Sequence, residues 1–140
     1  MLSLQEISDR LEIQDVLARY SDAIDSRRWD DLDGLFTVDA DIDYTSMGGI
    51  RGTLAEQKAF LDANLPHFPA FQHLTATSTF DIAGDLARVR TICFNPMVVQ
   101  DEKHVLFCGL WYRDTFARVH DEWRIKTRVE DRGWSLDLRR

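Results

Sequence analysis

The chain has 140 residues, the common size of one domain and too short for two, so a single domain over residues 1–140 is expected. An apolar fraction of 44% and an aromatic fraction of 11%, with three prolines and seven glycines, exclude a disordered or collagen-like polymer. A net charge of -7 argues against a nucleic-acid partner, because such binding draws its affinity from clustered Lys and Arg.

Ser3-Leu-Gln-Glu6 has the form of a capping box and predicts a helix start. Ile7, Leu11, Ile13, Val16, Leu17, Tyr20 and Ile24 then recur at helical spacing, an apolar stripe that ends beside Asp25. A short second helix is expected over 29–36, carrying Trp29, Leu32, Leu35 and Phe36. Residues 41–44 alternate like a strand, and Gly48, Gly49 and Gly52 break the chain before Thr53-Leu-Ala-Glu56, a second capping box. The helix it opens should run to about Leu65 and stop at Pro66 and Pro69.

Strand chemistry follows over 71–82, 86–95, 104–119 and 123–131, interrupted by Ala83-Gly84-Asp85, by 96–103 and by His120-Asp121-Glu122. The last strand reads as two-faced, with Trp123, Ile125, Thr127 and Val129 inward and Arg124, Lys126 and Arg128 on a solvated face. Helices first and an antiparallel meander afterwards define an α+β domain whose curved sheet wraps the helices and leaves a cavity.

No dinucleotide-binding glycine pattern, P-loop, serine-hydrolase elbow or zincin motif is present. Cys93 and Cys108 sit in apolar surroundings without a second pair, which speaks against a disulfide framework or a thiolate zinc site. His67, His73, His104 and His120 fall in different elements without ligand spacing, so neither a metal nor another cofactor is expected. No basic leader and no run of ~20 apolar residues is seen, so the expected location is cytoplasmic, with no membrane partner. The candidates for chemistry are therefore ordinary side chains. Asp25 closes the first helix and His73 opens a strand; brought together they form a base and its orienting carboxylate. An imidazole, with an unperturbed pKa near about 6.5, takes a proton at neutral pH, and a carboxylate fixes its tautomer and stabilises the resulting cation.

The segments A-R-Y-S-D-A-I-D-S-R-R-W-D-D-L at 18–32, A-D-I-D-Y at 40–44, F-Q-H-L at 71–74 and D-E-W-R-I at 121–125 resemble the SnoaL-like, scytalone-dehydratase-like branch of the nuclear-transport-factor-two-like superfamily. The resemblance implies a cone-shaped α+β barrel, a strongly curved mixed or antiparallel sheet closed by three helices. It also implies that His73 abstracts a proton while Asp25 orients it, coupled to loss of water or another leaving group, with Tyr44 polarising a substrate oxygen. Scytalone dehydratases carry a tyrosine where this chain has Ile24, a histidine where it has Thr91 and an asparagine where it has Tyr112. The expected substrate is accordingly small and more apolar, or held by Thr91 and Tyr112.

Tyr44 reads equally as a sheet aromatic with a surface hydroxyl. Trp29, Met47, Phe60, Phe94, Cys108 and Trp111 are core or pocket wall, and Trp134 is a lid or a subunit contact. The leading expectation is a cofactor-independent lyase acting on a small polyketide-, steroid- or aromatic-like molecule. The alternatives are a cyclase or isomerase using the same base, and a non-catalytic ligand-binding or dioxygenase-small-subunit-like scaffold. The resemblance further implies a homo-oligomer, a trimer rather than a dimer.

Overall fold

A computed structural model describes residues 1–101 and 103–139. Its elements are α1 (Leu4–Asp25), β1 (Phe36–Asp43), β2 (Arg51–Gly52), α2 (Leu54–Asn64), β3 (Ala70–Phe71), β4 (Leu74–Ala83), β5 (Leu86–Val98), β6 (His104–Val119) and β7 (Glu122–Arg139). The strands form one sheet in the order β2-β1-β7-β6-β5-β3, with β4 continuing along the same edge of β5 as β3. Every pairing is antiparallel except β1 with β7, which is parallel. Register shifts interrupt the β1–β7, β4–β5 and β6–β7 ladders. Such bulges bend strands and raise their twist, and the sheet curves around the helices without closing on itself.

Both helices start where the sequence places them. Ser3 caps α1 by accepting from the Glu6 amide, although the Glu6 carboxylate turns to Arg10 at 2.9 Å instead of completing the box. Thr53 and Glu56 form the full reciprocal box at the start of α2. The stripe on α1 is displaced from expectation. Ile7 and Leu11 are largely exposed, and the buried face begins at Asp9, whose carboxylate accepts from Gln5, Arg118 and Trp123.

Three helices were expected and two α-helices form among the described residues. Residues 29–32 make only a single 3-10 turn, because the Leu35 carbonyl accepts from the Ile125 amide at 2.8 Å and Phe36 already pairs with Ile125 as β1 begins. The expected 71–82 strand is also divided. His73 lies in the gap between β3 and β4, and its amide leaves the sheet ladder to bond a side chain of α1. β5 runs on through Pro96 to Val98, past its expected end, and Glu102, within the expected 96–103 break, lies outside the described residues.

The faces assigned to β7 are corrected from Thr127 onward: Thr127 and Val129, expected inward, turn to the outer face, and Arg128, expected in solvent, turns inward. The β6–β7 register shifts between Thr115 and Phe116, opposite Thr127 and Ile125, so Lys126 is an extra residue and the alternation inverts. Trp123 and Ile125 face inward before it, and Arg128 faces inward after it, fully buried. The core lies between α1 and the concave face, built on Ile13, Leu17, Ile24, Phe36, Val89, Phe116 and Ile125. Among the described residues, no helix is long and apolar enough to cross a membrane.

Candidate active site

Asp25 is the last residue of α1, and the chain leaves the helix through a left-handed Arg27 (φ 56). The amides of Arg27 and Arg28 bond back to Ile24 and Ala23, closing a Schellman turn without the usual glycine. A carboxylate at a helix C-terminus opposes the helix dipole, so local preference does not explain Asp25. Its partner does. The Asp25 carboxylate accepts the His73 amide at 2.9 Å and lies 2.6 Å from His73 Nδ1. An ionised carboxylate only accepts, so Nδ1 carries the proton and Nε2 the lone pair.

His73 lines a cavity of about 270 Å³ between α1, α2 and the concave sheet. Its walls are mostly apolar, with Ile24, Met47, Phe60, Leu65, Met97 and Leu110 among them, and its polar groups include Tyr20, Tyr44, Asn64, His73, Asn95 and Glu130. The volume suits a small molecule. The Asn95 side-chain amide lies 3.2 Å from His73 Nε2 and donates to it, while Asn95 Oδ1 is buried without a partner. The Tyr44 hydroxyl lies 2.5 Å from that of Tyr20. Gly49 sets Tyr44: a Cβ there would sit 2.7 Å from the Tyr44 Cβ and 3.0 Å from its carbonyl oxygen, so only glycine lets the 48–50 turn fold this closely against Tyr44. Burial pushes the Tyr20 hydroxyl up to about 12 and that of Tyr44 well above its ordinary value, so both stay protonated donors.

Beneath the tyrosines, Arg128 grips Asp114 with Nε at 2.8 Å and Nη2 at 2.7 Å, and its guanidinium lies 4.1 Å from the centre of the Tyr20 ring. Burial works against the charge of Arg128, but Asp114, with Tyr20 and Tyr44, holds its pKa well above the ordinary value. Glu130, one inward position further along β7, lines the cavity; burial pushes its carboxyl up to about 8. Among the described residues, no three His, Cys, Asp or Glu side chains converge closely enough to hold a metal ion.

His73, Tyr44, Met47, Phe60 and Cys108 therefore meet at one cavity, with Asp25 behind His73, while four expected site residues lie elsewhere. Thr91 and Tyr112 face inward but deeper, as register partners, with Thr91 bonded to Ser78 and Tyr112 under Arg128. The inward position of β5 that reaches His73 is Asn95, two inward steps nearer the mouth. Phe94 projects from the opposite face of β5 and stacks on Phe107, and the Trp29 indole bonds Asp62 on the outside of α2. Trp111 lies on the outer face, where Arg90 covers its ring, and Trp134 packs on the outer face against Phe94, away from the cavity. Sequence reasoning missed Tyr20, Asn95, Arg128 and Glu130. Tyr20 was absorbed into the apolar stripe, and a bulge with no sequence signature hid the other side of β7.

A curved α+β sheet that holds an acid–histidine pair and two tyrosines at a small cavity defines the class of domain. The chain belongs to the SnoaL-like domain family of the nuclear-transport-factor-two-like superfamily, whose model matches residues 5–129. It is 54% identical over 131 residues to the uncharacterized protein Rv2910c of Mycobacterium tuberculosis, covering 93% of this chain and 89% of that protein. Its structure is similar to that of a candidate scytalone dehydratase of Novosphingobium aromaticivorans, with a TM-score of 0.84 and 20% identity, covering 96% and 90% of the two chains. It is similar also to a type 2 hexachlorocyclohexane dehydrochlorinase, with a TM-score of 0.85 and 15% identity, covering 96% and 92%. At these identities the two structures report a shared fold.

Proposed function

We propose that this protein is a cofactor-independent lyase that removes water, or a comparable leaving group, from a small and largely apolar molecule. The observation that carries the reading is the 2.6 Å contact between Asp25 and His73 Nδ1, which leaves Nε2 as the base at the cavity wall. His73 takes a proton from a substrate carbon, Asp25 stabilises the imidazolium, and the leaving hydroxide recovers that proton as water. The Tyr44 hydroxyl, supported by Tyr20, polarises a substrate oxygen. Asn95 holds Nε2 until a substrate displaces it. Membership of a family whose structural neighbours include a dehydrochlorinase and a candidate dehydratase supports the same reading.

The test is a panel of small β-hydroxy ketones incubated with the protein and followed by mass spectrometry, with α-proton exchange in deuterated buffer followed by NMR. Loss of water is expected, falling by roughly 10²- to 10⁴-fold in His73→Ala. Asp25→Asn should be nearly as damaging, because its amide offers the imidazole a donor where an acceptor is needed. Near-normal turnover in either variant would sink the mechanism, and a product of unchanged mass would shift the reading to cyclisation or isomerisation.

A further inference from the structure

We propose that Glu130 is a second catalytic residue of this cavity, a neutral carboxylic acid that donates a hydrogen bond to the carbonyl oxygen of the substrate opposite His73. This rests on the lyase reading and adds to it an acid and a substrate class: a small carbonyl compound with its leaving group on the β-carbon.

The sheet supplies the geometry. Asn95, which touches His73, stands on β5, and Glu130 stands on β7 with β6 between them. Glu130 pairs with Tyr112 and through it with Thr91, four residues before Asn95 on β5, so the two backbones stand roughly 10 Å apart across the strands and roughly 13 Å apart along them, and base and acid face the one cavity from different walls. Tyr44 joins Glu130 on its wall, because Asp43 pairs with Val129 in the parallel ladder and the next residue of each strand is Tyr44 and Glu130. The Ser46 hydroxyl, bonded to the Glu130 carbonyl at 2.5 Å, ties the turn after Tyr44 to the same place.

Glu130 has no obvious structural task. Among the described residues its carboxyl has no ion-pair or hydrogen-bond partner. The Arg128 guanidinium, whose charge acts on Glu130, bonds Asp114 through Nε and Nη2, and its Nη1 is buried without a partner. The other groups facing it from the surrounding elements are Asp43 on β1, the tyrosines Tyr20, Tyr44 and Tyr112, and the thiols Cys93 and Cys108. None of these except Arg128 brings positive charge, and burial raises the carboxyl to about 8, so at neutral pH it carries a proton to donate. A carboxylic acid held neutral in an apolar site is a strong donor to a developing enolate.

The step balances. His73 Nε2 takes the α-proton, the C–H electron pair moves into the enolate, and Glu130 O–H and Tyr44 O–H hold the oxygen without giving up their protons. The enolate then re-forms the carbonyl, the double bond forms as the β-carbon to oxygen bond breaks, and the departing hydroxide takes the His73 proton. Glu130 ends as it began.

The experiment has two readouts. The first is a ¹³C NMR titration of protein labelled at the glutamate carboxyl carbon, with Glu130→Gln identifying the resonance. The expected midpoint is about 8, and one in the ordinary carboxylate range overturns the proposal. The second is binding of 4-nitrophenol, whose phenolate imitates an enolate and reports its own ionisation by absorbance. Wild type should bind it at neutral pH at least about tenfold more tightly than Glu130→Ala, with Glu130→Gln within a few fold because the amide still donates. Above the Glu130 midpoint, wild-type binding should weaken by about tenfold per pH unit, as expected for one required proton. Absence of phenolate binding, or equal binding by wild type and Glu130→Ala, overturns it. His73→Ala should keep the phenolate while losing α-proton exchange. A failed base reading therefore leaves the binding intact, whereas a failed acid assignment leaves the exchange intact.

Discussion

Arg128 is the residue on which the floor of the cavity rests. It has 0% exposure, pairs with an equally inaccessible Asp114, and lies 4.1 Å and 4.0 Å from the ring centres of Tyr20 and Tyr112. Removing one partner of such a pair strands a charge in the core, so Asp114→Asn or Arg128→Met should lose about 3–5 kcal/mol in urea titration. The double variant Asp114→Leu with Arg128→Met should recover most of that loss, and a double variant no better than the singles would contradict the account. Glu130 gives a second test, through linkage. Burial raises its folded-state carboxyl to about 8, above that of an unfolded chain. Between those values the native state holds a proton that the unfolded state has released, so stability falls as pH rises through the window, by at most about 1.4 kcal/mol per pH unit. Unfolding measured from about pH 6 to about pH 8 should show that decline in wild type and lose it in Glu130→Gln.

At the scale of elements, the hairpin joining β6 to β7 carries an unusual turn. Val119 pairs with Glu122, leaving His120 and Asp121 as a two-residue loop with φ of 50 and 64, the left-handed pair that favours Asn-Gly. Left-handed backbone costs an ordinary L-residue roughly 1–2 kcal/mol. His120→Asn with Asp121→Gly should therefore raise the melting temperature by a few degrees, and an unchanged or lower value in calorimetry would refute this. The turn also marks what the sequence could convey. Ser3 and Thr53 announced both helix starts because capping is chemistry within a few residues, and Asp25 and His73 stood out because their types suit a base and its carboxylate. The inward turn of Arg128 was invisible, since the extra residue at Lys126 is set by pairing with β6 and not by composition. Thr91 was expected at the site from the resemblance alone, whereas the β5 residue that reaches His73 is Asn95, at the end of the expected 86–95 strand, and residues 29–36 kept helical periodicity while the sheet claimed Phe36.

At the scale of the molecule, the end of β7 is an apolar ribbon with one open edge. β1 pairs with β7 only as far as Val129, so the outer edge from Glu130 to Arg139 has no strand beside it among the described residues. Past a second register shift at Gly133, Trp134, Leu136 and Leu138 turn to the outer face at 51%, 50% and 51% exposure. Trp134 lies over Gly109 and against Phe94, which stacks on Phe107, so the exposed residues extend an aromatic cluster. A long, unpaired and apolar edge is a template for another chain, and a monomer that left it in water would be prone to aggregate. The expected state is a homo-oligomer, a trimer on the family resemblance, in which this ribbon is covered by a second copy. Sedimentation velocity at micromolar concentration should show one trimeric species for wild type. Leu136→Asp with Leu138→Asp should shift it to monomer while leaving the Asp25–His73 contact and the cavity in place, since neither residue lines it. A wild type that sediments as a monomer, or a double variant that stays assembled, would show that the ribbon is not the contact surface.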